Sequence, residues 1–596
     1  MTTQLSDKQP LHQSTRSLLL GIWGNIGRRR RTQLALLLLV MIVSGIAELV
    51  SLGAVLPFLA VLSDPEQLWQ HPLVQNLGMK VGINKSNDLI LPATLAFAGA
   101  AVLSGLVRLT NVWLNGRVAA AIGSDLSCES YRRTLYQPYE VHVQRNSATI
   151  ITSTTTNISR TVQACTSFLL MLTAAIVAFG LLMGLLIINW RVALTAIALF
   201  GCTYGFLAST VRKELRFNSL LIKNAAEKQI KSLQEGLGAI RDVLLDGNQL
   251  AYVETYRQTD RPQRQLQAKN QFLGTFPRYA VEALALVAIS FLGGMLVLNK
   301  GTSGDVIPLL GAMSLGAQRL LPAIQQMYVG WSSLKGFNAD LVAVLAMLNQ
   351  PVTPQPSAVS KLSLRKSILF DDLYFKYGAD QPNVLKGLNL EINRGERVGF
   401  IGSTGSGKST TIDILMGLLM PTSGRLLVDG KNLHDSKNFH LIRSWQSAIA
   451  HVPQNIYLAD CSIAENIAFG VPSSQINIER VKKAAEQAQI ACFIEDLSSG
   501  YETYVGERGM RLSGGQKQRI GLARALYKQA NVLILDEATS ALDSETEKSV
   551  MSAVEGLGSD LTIIMIAHRL STLEYCDKVF EIKKGMAFLK KSFNST

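Results

Sequence analysis

The run Gly402-Ser403-Thr404-Gly405-Ser406-Gly407-Lys408-Ser409, continued by Thr410, has the residue types needed to cradle phosphates. Its glycines let backbone N–H groups turn inward around the phosphate oxygens. Lys408 reaches for the β- and γ-phosphates, and Ser409 offers a hydroxyl to Mg2+. The apolar run 398–401 precedes this loop and a helical pattern follows it, which is the context it requires. Further along, Val532-Leu533-Ile534-Leu535 reads as a buried strand ending in Asp536 and Glu537. Asp536 is the candidate carboxylate on the magnesium side, and Glu537 is the candidate to polarise the attacking water. These groups predict chemistry at the terminal phosphate of a nucleotide, with Mg2+ as cofactor. By themselves they leave kinases, GTPases and many ATPases open.

A second motif narrows the choice. Leu512-Ser513-Gly514-Gly515-Gln516 lies ahead of the strand with its paired carboxylates, and the two in that order resemble the ATP-binding cassette (ABC) family. Other segments match the family pattern in sequence order. Tyr377 resembles the aromatic residue that stacks on adenine. Gln454, in Val452-Pro453-Gln454, resembles the Q-loop residue that contacts Mg2+ and water. Asp543, in Ser540-Ala541-Leu542-Asp543, matches the D-loop, and His568, in Ile566-Ala567-His568-Arg569, matches the switch histidine. The resemblance also implies that Ser513, Gly514, Gly515 and Gln516 close on a nucleotide held by the partner's Lys408. A single cassette then cannot complete a site, so a dimer is expected, most simply of two identical chains, with a heterodimer as the alternative.

These motifs occupy the second half of a 596-residue chain whose long apolar runs nearly all precede residue 335. Crossing a bilayer takes about 20 mostly apolar residues. Six segments qualify, near 34–62, 90–113, 166–188, 192–212, 275–298 and 306–332. The net charge of +14 comes from Lys and Arg concentrated before the first run, at Arg28 to Arg31, and in the intervals 114–165 and 213–274. That distribution marks cytoplasmic flanks. It places both termini in the cytoplasm and argues against nucleic acid as a partner. The cysteines Cys128, Cys165, Cys202, Cys461, Cys492 and Cys576 show neither zinc-ligand spacing nor a disulfide framework. No small-residue cleavage site follows the first apolar run, so that span is expected to be retained.

The expected fold is a membrane α-helical domain of six transmembrane helices with long intracellular extensions, fused to an α/β P-loop ATPase domain. Its expected divisions are a cytoplasmic segment 1–33, a membrane domain 34–335, a linker and cassette start 336–365, and the nucleotide-binding domain 366–596. Breaks at Gln137-Pro138-Tyr139 and Asp246-Gly247-Asn248 resemble the loops of exporter-type ABC transporters, which implies short coupling helices near 139–146 and 247–256. Val505-Gly506-Glu507-Arg508-Gly509 resembles the cassette segment that meets those loops, with Glu507 as its coupling residue.

Cargo has to be argued from ionisable residues in the spans, because these are costly in lipid. They are Glu48, Arg108, Arg278, Glu282 and Arg319. The arginines suit an anion-accepting cavity, whereas pairing of Arg278 with Glu282, and of Glu48 with another arginine, would make them structural. The stretches 48–53, 56–59 and 63–66, the external loop 64–89 with Leu68, Trp69, Leu73, Val74 and Leu77, and the 277–282 pattern resemble the lipid-linked oligosaccharide flippases. That resemblance implies ATP-driven outward movement of a lipid-linked or amphipathic anionic substrate in the inner or plasma membrane, with membrane lipids as partners. A multidrug, peptide or plain lipid exporter is the alternative within the class. An ATP-regulated channel or membrane sensor is the alternative outside it.

Overall fold

Val532–Asp536 and Thr562–Ile566 are almost entirely apolar, and both are buried along their length. Strands of this kind belong in the middle of a parallel sheet covered on both faces. The computed structural model describes residues 14–592, apart from 56–57, 59–60, 63–65, 67–88, 189, 301–305, 353–361, 436–438, 538–543, 557–559, 567–573 and 575. Some further side chains, that of Arg319 among them, also lie outside the described residues. The chain divides into two units. One holds Met1–Gln137 and Arg145–Val352, and the other holds Pro138–Gln144 and Thr353–Thr596.

The first unit is helical. In chain order it contains α1 (Thr15–Asn25), α2 (Arg28–Gly53) and α3 (Ile90–Leu135). The short helix α4 (Tyr139–Gln144) belongs to the other unit. The first unit resumes with α5 (Ser147–Thr152), α6 (Ile158–Ile188), α7 (Trp190–Gly238), α8 (Ile240–Leu245), α9 (Gln249–Lys300), α10 (Val306–Gly336) and α11 (Asn338–Leu348). A π-helical turn, Ser153–Asn157, joins α5 to α6. Among the described residues, Arg28–Ser51, Ile90–Leu135 and Ser147–Gly184 are long and apolar enough to cross a membrane. The other three expected spans fall in α7, α9 and α10, many of whose side chains there lie outside the described residues. The expected apolar loop 64–89 also lies outside them, apart from Glu66 and Leu89.

Three local features differ from the sequence reading. Residues 15–25, taken as polar cytoplasmic chain, form α1, whose N-terminus is capped by the Ser14 side chain accepting from the Ser17 N–H. Leu18 and Ile22, one turn apart, bury against Leu341, Val344, Leu345 and Leu348 of α11. The segment 336–365, expected as linker and cassette start, thus opens with a buried apolar helix.

The third difference concerns the second short helix, which occupies Ile240–Leu245 and not 247–256. Gly247 adopts φ +67°, and the Asn248 N–H returns to the Val243 carbonyl at 3.1 Å. A left-handed glycine of this sort closes a helix from its C-terminal side. The break at Asp246-Gly247-Asn248 therefore ends α8, and the residues assigned to a short helix instead begin the long α9.

In the second unit β1 (Ser367–Phe375), β2 (Leu385–Asn393), β4 (Ser423–Val428) and β5 (Lys431–Asn432) form an antiparallel sheet ordered β2-β1-β4-β5. The larger sheet is ordered β10-β9-β3-β8-β7-β6. It contains β3 (Arg397–Ile401), β6 (Ile449–Val452), β7 (Val532–Asp536), β8 (Thr562–Ile566), β9 (Lys578–Lys583) and β10 (Met586–Ser592). From β6 to β9 its neighbours are parallel; β10 alone runs antiparallel, beside β9. Helix α12 (Lys408–Leu415) follows β3, and α13 (Gly514–Tyr527) precedes β7. Trp445, fully buried, donates its indole N–H to the Leu415 carbonyl at 2.6 Å. This removes the cost of hiding a donor.

Candidate ATP site

The phosphate loop sits between the end of β3 and the start of α12, where its glycines take conformations closed to other residues. Gly402 has φ +147° and Gly407 has φ +109°. A side-chain carbon on Gly402 would fall 2.3 Å from the Ile582 carbonyl oxygen, so β9 leaves room for backbone only. Lys408 is buried, and its Nζ donates to the carbonyls of Gly402 at 2.7 Å and Ser403 at 3.1 Å. Ser409 is exposed, Thr410 is buried, and the Thr410 hydroxyl lies 3.2 Å from that of Tyr377. Tyr377 stands edge-on to Phe375, with ring centroids 4.9 Å apart.

The parallel sheet brings the later motifs to the same edge. β7 lies between β6 and β8, so Gln454, just after β6, reaches the end of β7. The Gln454 side-chain amide donates to Glu537 Oε2 at 2.6 Å. Glu537 itself has φ +47°, and its N–H donates to the Ile566 carbonyl at 3.1 Å. A left-handed glutamate at a strand end is uncommon and costs roughly 1–3 kcal/mol, a strain typical of functional sites. Burial, then the neighbouring Glu537, raise the Asp536 carboxyl above its ordinary value, while Lys408 pulls it back. Lys408, Gln454, Asp536 and Glu537 are thereby brought together. Asp543 and His568 lie outside the described residues.

Ser513 precedes α13 and caps it. Its hydroxyl accepts from the Gln516 N–H at 3.2 Å, and Gln516 Oε1 accepts from the Ser513 N–H at 2.8 Å. Such a reciprocal box is worth about 1 kcal/mol and holds the helix start in one conformation. Ser513 and Gly514 remain exposed, with Gly515 partly so. Glu507 is exposed in a single 3-10 turn, Glu507–Gly509, entered through Gly506 at φ +74°.

Two nearby groups were missed in the sequence. Tyr139, on α4, has its phenol pushed up by burial, with Asp413 and Tyr377 adding to the effect. Asp413 has its carboxyl pushed up to about 6, by burial first and Asp536 second. The available signal for Asp413 was its position four residues after Ser409, on the same helical face.

A raised carboxyl pKa means that the folded unit holds this proton more tightly than the unfolded chain does. Its stability contribution is greatest below the ordinary value of 3.8, declines as pH rises through about 6, and is flat above. Asp413→Asn should therefore raise the cassette Tm by roughly 2–4 °C at about pH 7.5. The gain should shrink toward about pH 4.5. Thermal unfolding of the full chain at both pH values tests this, and equal gains at the two would sink it.

Among the described membrane candidates, Glu48 and Arg108 are brought together. Arg108 Nη1 lies 3.5 Å from Glu48 Oε1, joining α3 to α2. The Arg278 guanidinium lies 6.0 Å from the ring centre of its neighbour Tyr279. No ion pair joins Arg278 to Glu282 among the described residues, and the Arg319 side chain lies outside them.

A phosphate loop beside a Gln–Glu pair on a parallel sheet, joined to long apolar helices, defines a membrane-bound nucleotide hydrolase. Residues 34–317 match the ABC transporter transmembrane region, and residues 385–540 match the ABC transporter family. The chain belongs to the ABC transporter family, as an exporter carrying its membrane and ATPase domains in one polypeptide.

Its relatives include the ATP-dependent lipid A-core flippase of Ralstonia nicotianae, 29% identical over 501 residues, covering 83% of each chain. The flippase of the same name from Chromohalobacter salexigens is 30% identical over 502 residues, 83% of this chain and 84% of the relative. A bacterial Atm1-family ABC exporter solved with ATP bound shares the fold. It has a TM-score of 0.75 and 24% identity, with 94% of each chain covered. ATP hydrolysis is accordingly coupled to transport across a membrane.

Proposed function

We propose that two copies of this chain form an inner-membrane flippase, which uses ATP to move a lipid with a large polar headgroup outward. The observation that carries the cargo is the match to lipid A-core flippases along 83% of both chains. A lipid-linked oligosaccharide, the narrower expectation from sequence, belongs to the same broad class of large-headed lipids.

In the ATP site, the buried Ser406 hydroxyl has no partner among the described residues, which suits a donor kept for phosphate. Lys408 would leave the loop carbonyls for the phosphates. Tyr377 would stack on adenine, and the exposed Ser513 to Gln516 would meet the partner subunit's nucleotide. The Ser409 hydroxyl, the Asp536 carboxyl and the Gln454 carboxamide form an all-oxygen donor set. Such a set suits Mg2+, which takes a few protein ligands and completes its shell with phosphate and water. When bound, the ion neutralises charge on the phosphates. Glu537 would take the proton of the attacking water, with Gln454 fixing its carboxylate. Asp543 and His568 keep the roles their motifs imply, and Glu507 with α4 would pass cassette closure to the helices.

Proteoliposomes containing a headgroup-labelled glycolipid test the transport reading. Adding Mg-ATP to the cassette side should change the fraction of label accessible from outside, and replacing ATP by ADP should not. An unchanged fraction with active hydrolysis would rule out the lipid flippase.

A further inference from the structure

A helix C-terminus leaves its last carbonyls without partners inside the helix. At the end of α11, side chains of α3 and the residues just after it supply the donors. Arg133 donates from Nη1 to the carbonyls of Leu348 and, at 3.2 Å, Gln350. Gln137 donates from Nε2 to the Pro351 carbonyl at 3.0 Å. A cation placed here also faces the negative end of the helix dipole.

Both donors are braced from their own side. Arg133 Nε donates to Glu129 Oε1 at 2.6 Å, one turn back on α3, and the Gln137 amide donates to the Arg133 carbonyl at 2.9 Å. Helix α11 is held on its other faces as well. Leu18 and Ile22 of α1 cover it, the buried Asp340 accepts from Arg160 of α6 at 3.3 Å, and Ser219 of α7 accepts from the Ala339 N–H at 3.0 Å.

The position of these bonds along the chain gives them meaning. The polypeptide passes between the helical unit and the ATPase unit at three places, after Gln137, after Gln144 and after Val352. Arg133 and Gln137 tie the first of these to the third, on the helical side. One of the tied ends opens into α4, and the other leads back through α11 and Phe337 to α10. Without the tie, a displacement of α4 would be handed to α3 alone, and the chain leaving α11 could follow the cassette separately.

We infer that Arg133 and Gln137 are positioning residues of the transport cycle, fastening the exit of α11 to the base of α4 so that the cytoplasmic ends of α3 and α10 move as one body. The inference rests on the reading that α4 passes cassette closure to the helices. What it adds is that one displacement reaches the second and sixth expected spans together.

The test uses the full-length protein in nanodiscs, with spin labels on Cys128, exposed on α3, and on Ala346→Cys, exposed on α11, the other cysteines being changed to alanine. Affinity-purified dimers with one labelled chain are measured by electron paramagnetic resonance, without nucleotide and trapped with Mg-ADP and vanadate. The distance should be narrow and the same in both states. Arg133→Ala combined with Gln137→Ala should broaden it or shift it on trapping. In proteoliposomes with a headgroup-labelled glycolipid, the same pair of changes should lower lipid moved per ATP hydrolysed by roughly threefold or more, with the KM for ATP unchanged. Losing a charged donor to two carbonyls shifts such a contact's equilibrium by roughly tenfold. Arg132→Ala is the control, since Arg132 reaches Glu129 but not α11, and it should alter neither readout.

A distance that changes on trapping in the unaltered chain, or one that stays narrow and fixed in the double variant, would overturn the joint. Arg132→Ala reproducing the loss would overturn it too, by assigning the effect to charge alone. An unchanged yield of lipid per ATP in the double variant would overturn the role in transport. Absence of lipid movement in the unaltered protein would instead remove the flippase reading, while the spin-label distances still decide the joint.

Discussion

Glu537→Gln is expected to lower ATP hydrolysis by roughly 10²- to 10⁴-fold, the usual worth of a positioned general base. The replacement is conservative in geometry. Gln454 donates to Glu537 Oε2 at 2.6 Å, and a glutamine at 537 retains an acceptor oxygen for that bond. What it loses is the capacity to take a proton from water. ATP binding should therefore survive, and the variant should accumulate with nucleotide bound. Steady-state phosphate release and retention of labelled ATP measure the two effects separately. Hydrolysis at the original rate would place the base elsewhere. Transport continuing at the original rate without hydrolysis would instead favour a channel or sensor.

The second large effect concerns which chain supplies the signature residues. Ser513 and Gly514 are exposed at the start of α13, while Lys408 is buried in its own loop. If each site combines one chain's loop with the other's signature, the placement of two inactivating changes decides the outcome. Chains carrying Lys408→Ala alone, paired with chains carrying Ser513→Arg alone, keep one site with both elements intact. A doubly changed chain paired with an unchanged chain keeps none. Affinity-purified heterodimers of the first kind should hydrolyse ATP at least about tenfold faster than the second, since each lost phosphate contact costs on the order of 1.4 kcal/mol or more. Equal activity in the two would exclude shared sites.

The candidate catalytic elements stand out in the sequence because each depends on short contiguous patterns. The Gly402 to Ser409 loop needs particular glycines, and the strand before Asp536 needs an unbroken apolar run. The placement of Gln454 beside Glu537 follows once both are assigned to ends of parallel strands. Helix limits near loops were less legible. Gly247 could open or close a helix from sequence alone, and only its left-handed backbone, with the Asn248 to Val243 hydrogen bond, settles that it closes one. Helix α1 escaped because Leu18 and Ile22 acquire meaning only from α11, more than 300 residues away.

The partner of Glu48 was also undetermined in sequence, since Arg108 reaches it from a different helix.

The six residues of α4 lie inside the membrane half of the sequence yet pack as part of the ATPase unit. That unit is therefore discontinuous along the chain, and a fragment beginning at residue 353 is not a whole domain. Cut free, it would lack Tyr139, the phenol whose surroundings include Asp413 and Tyr377. An isolated cassette would consequently present a different surface beside Asp413 and Tyr377 from the same sequence within the complete transporter.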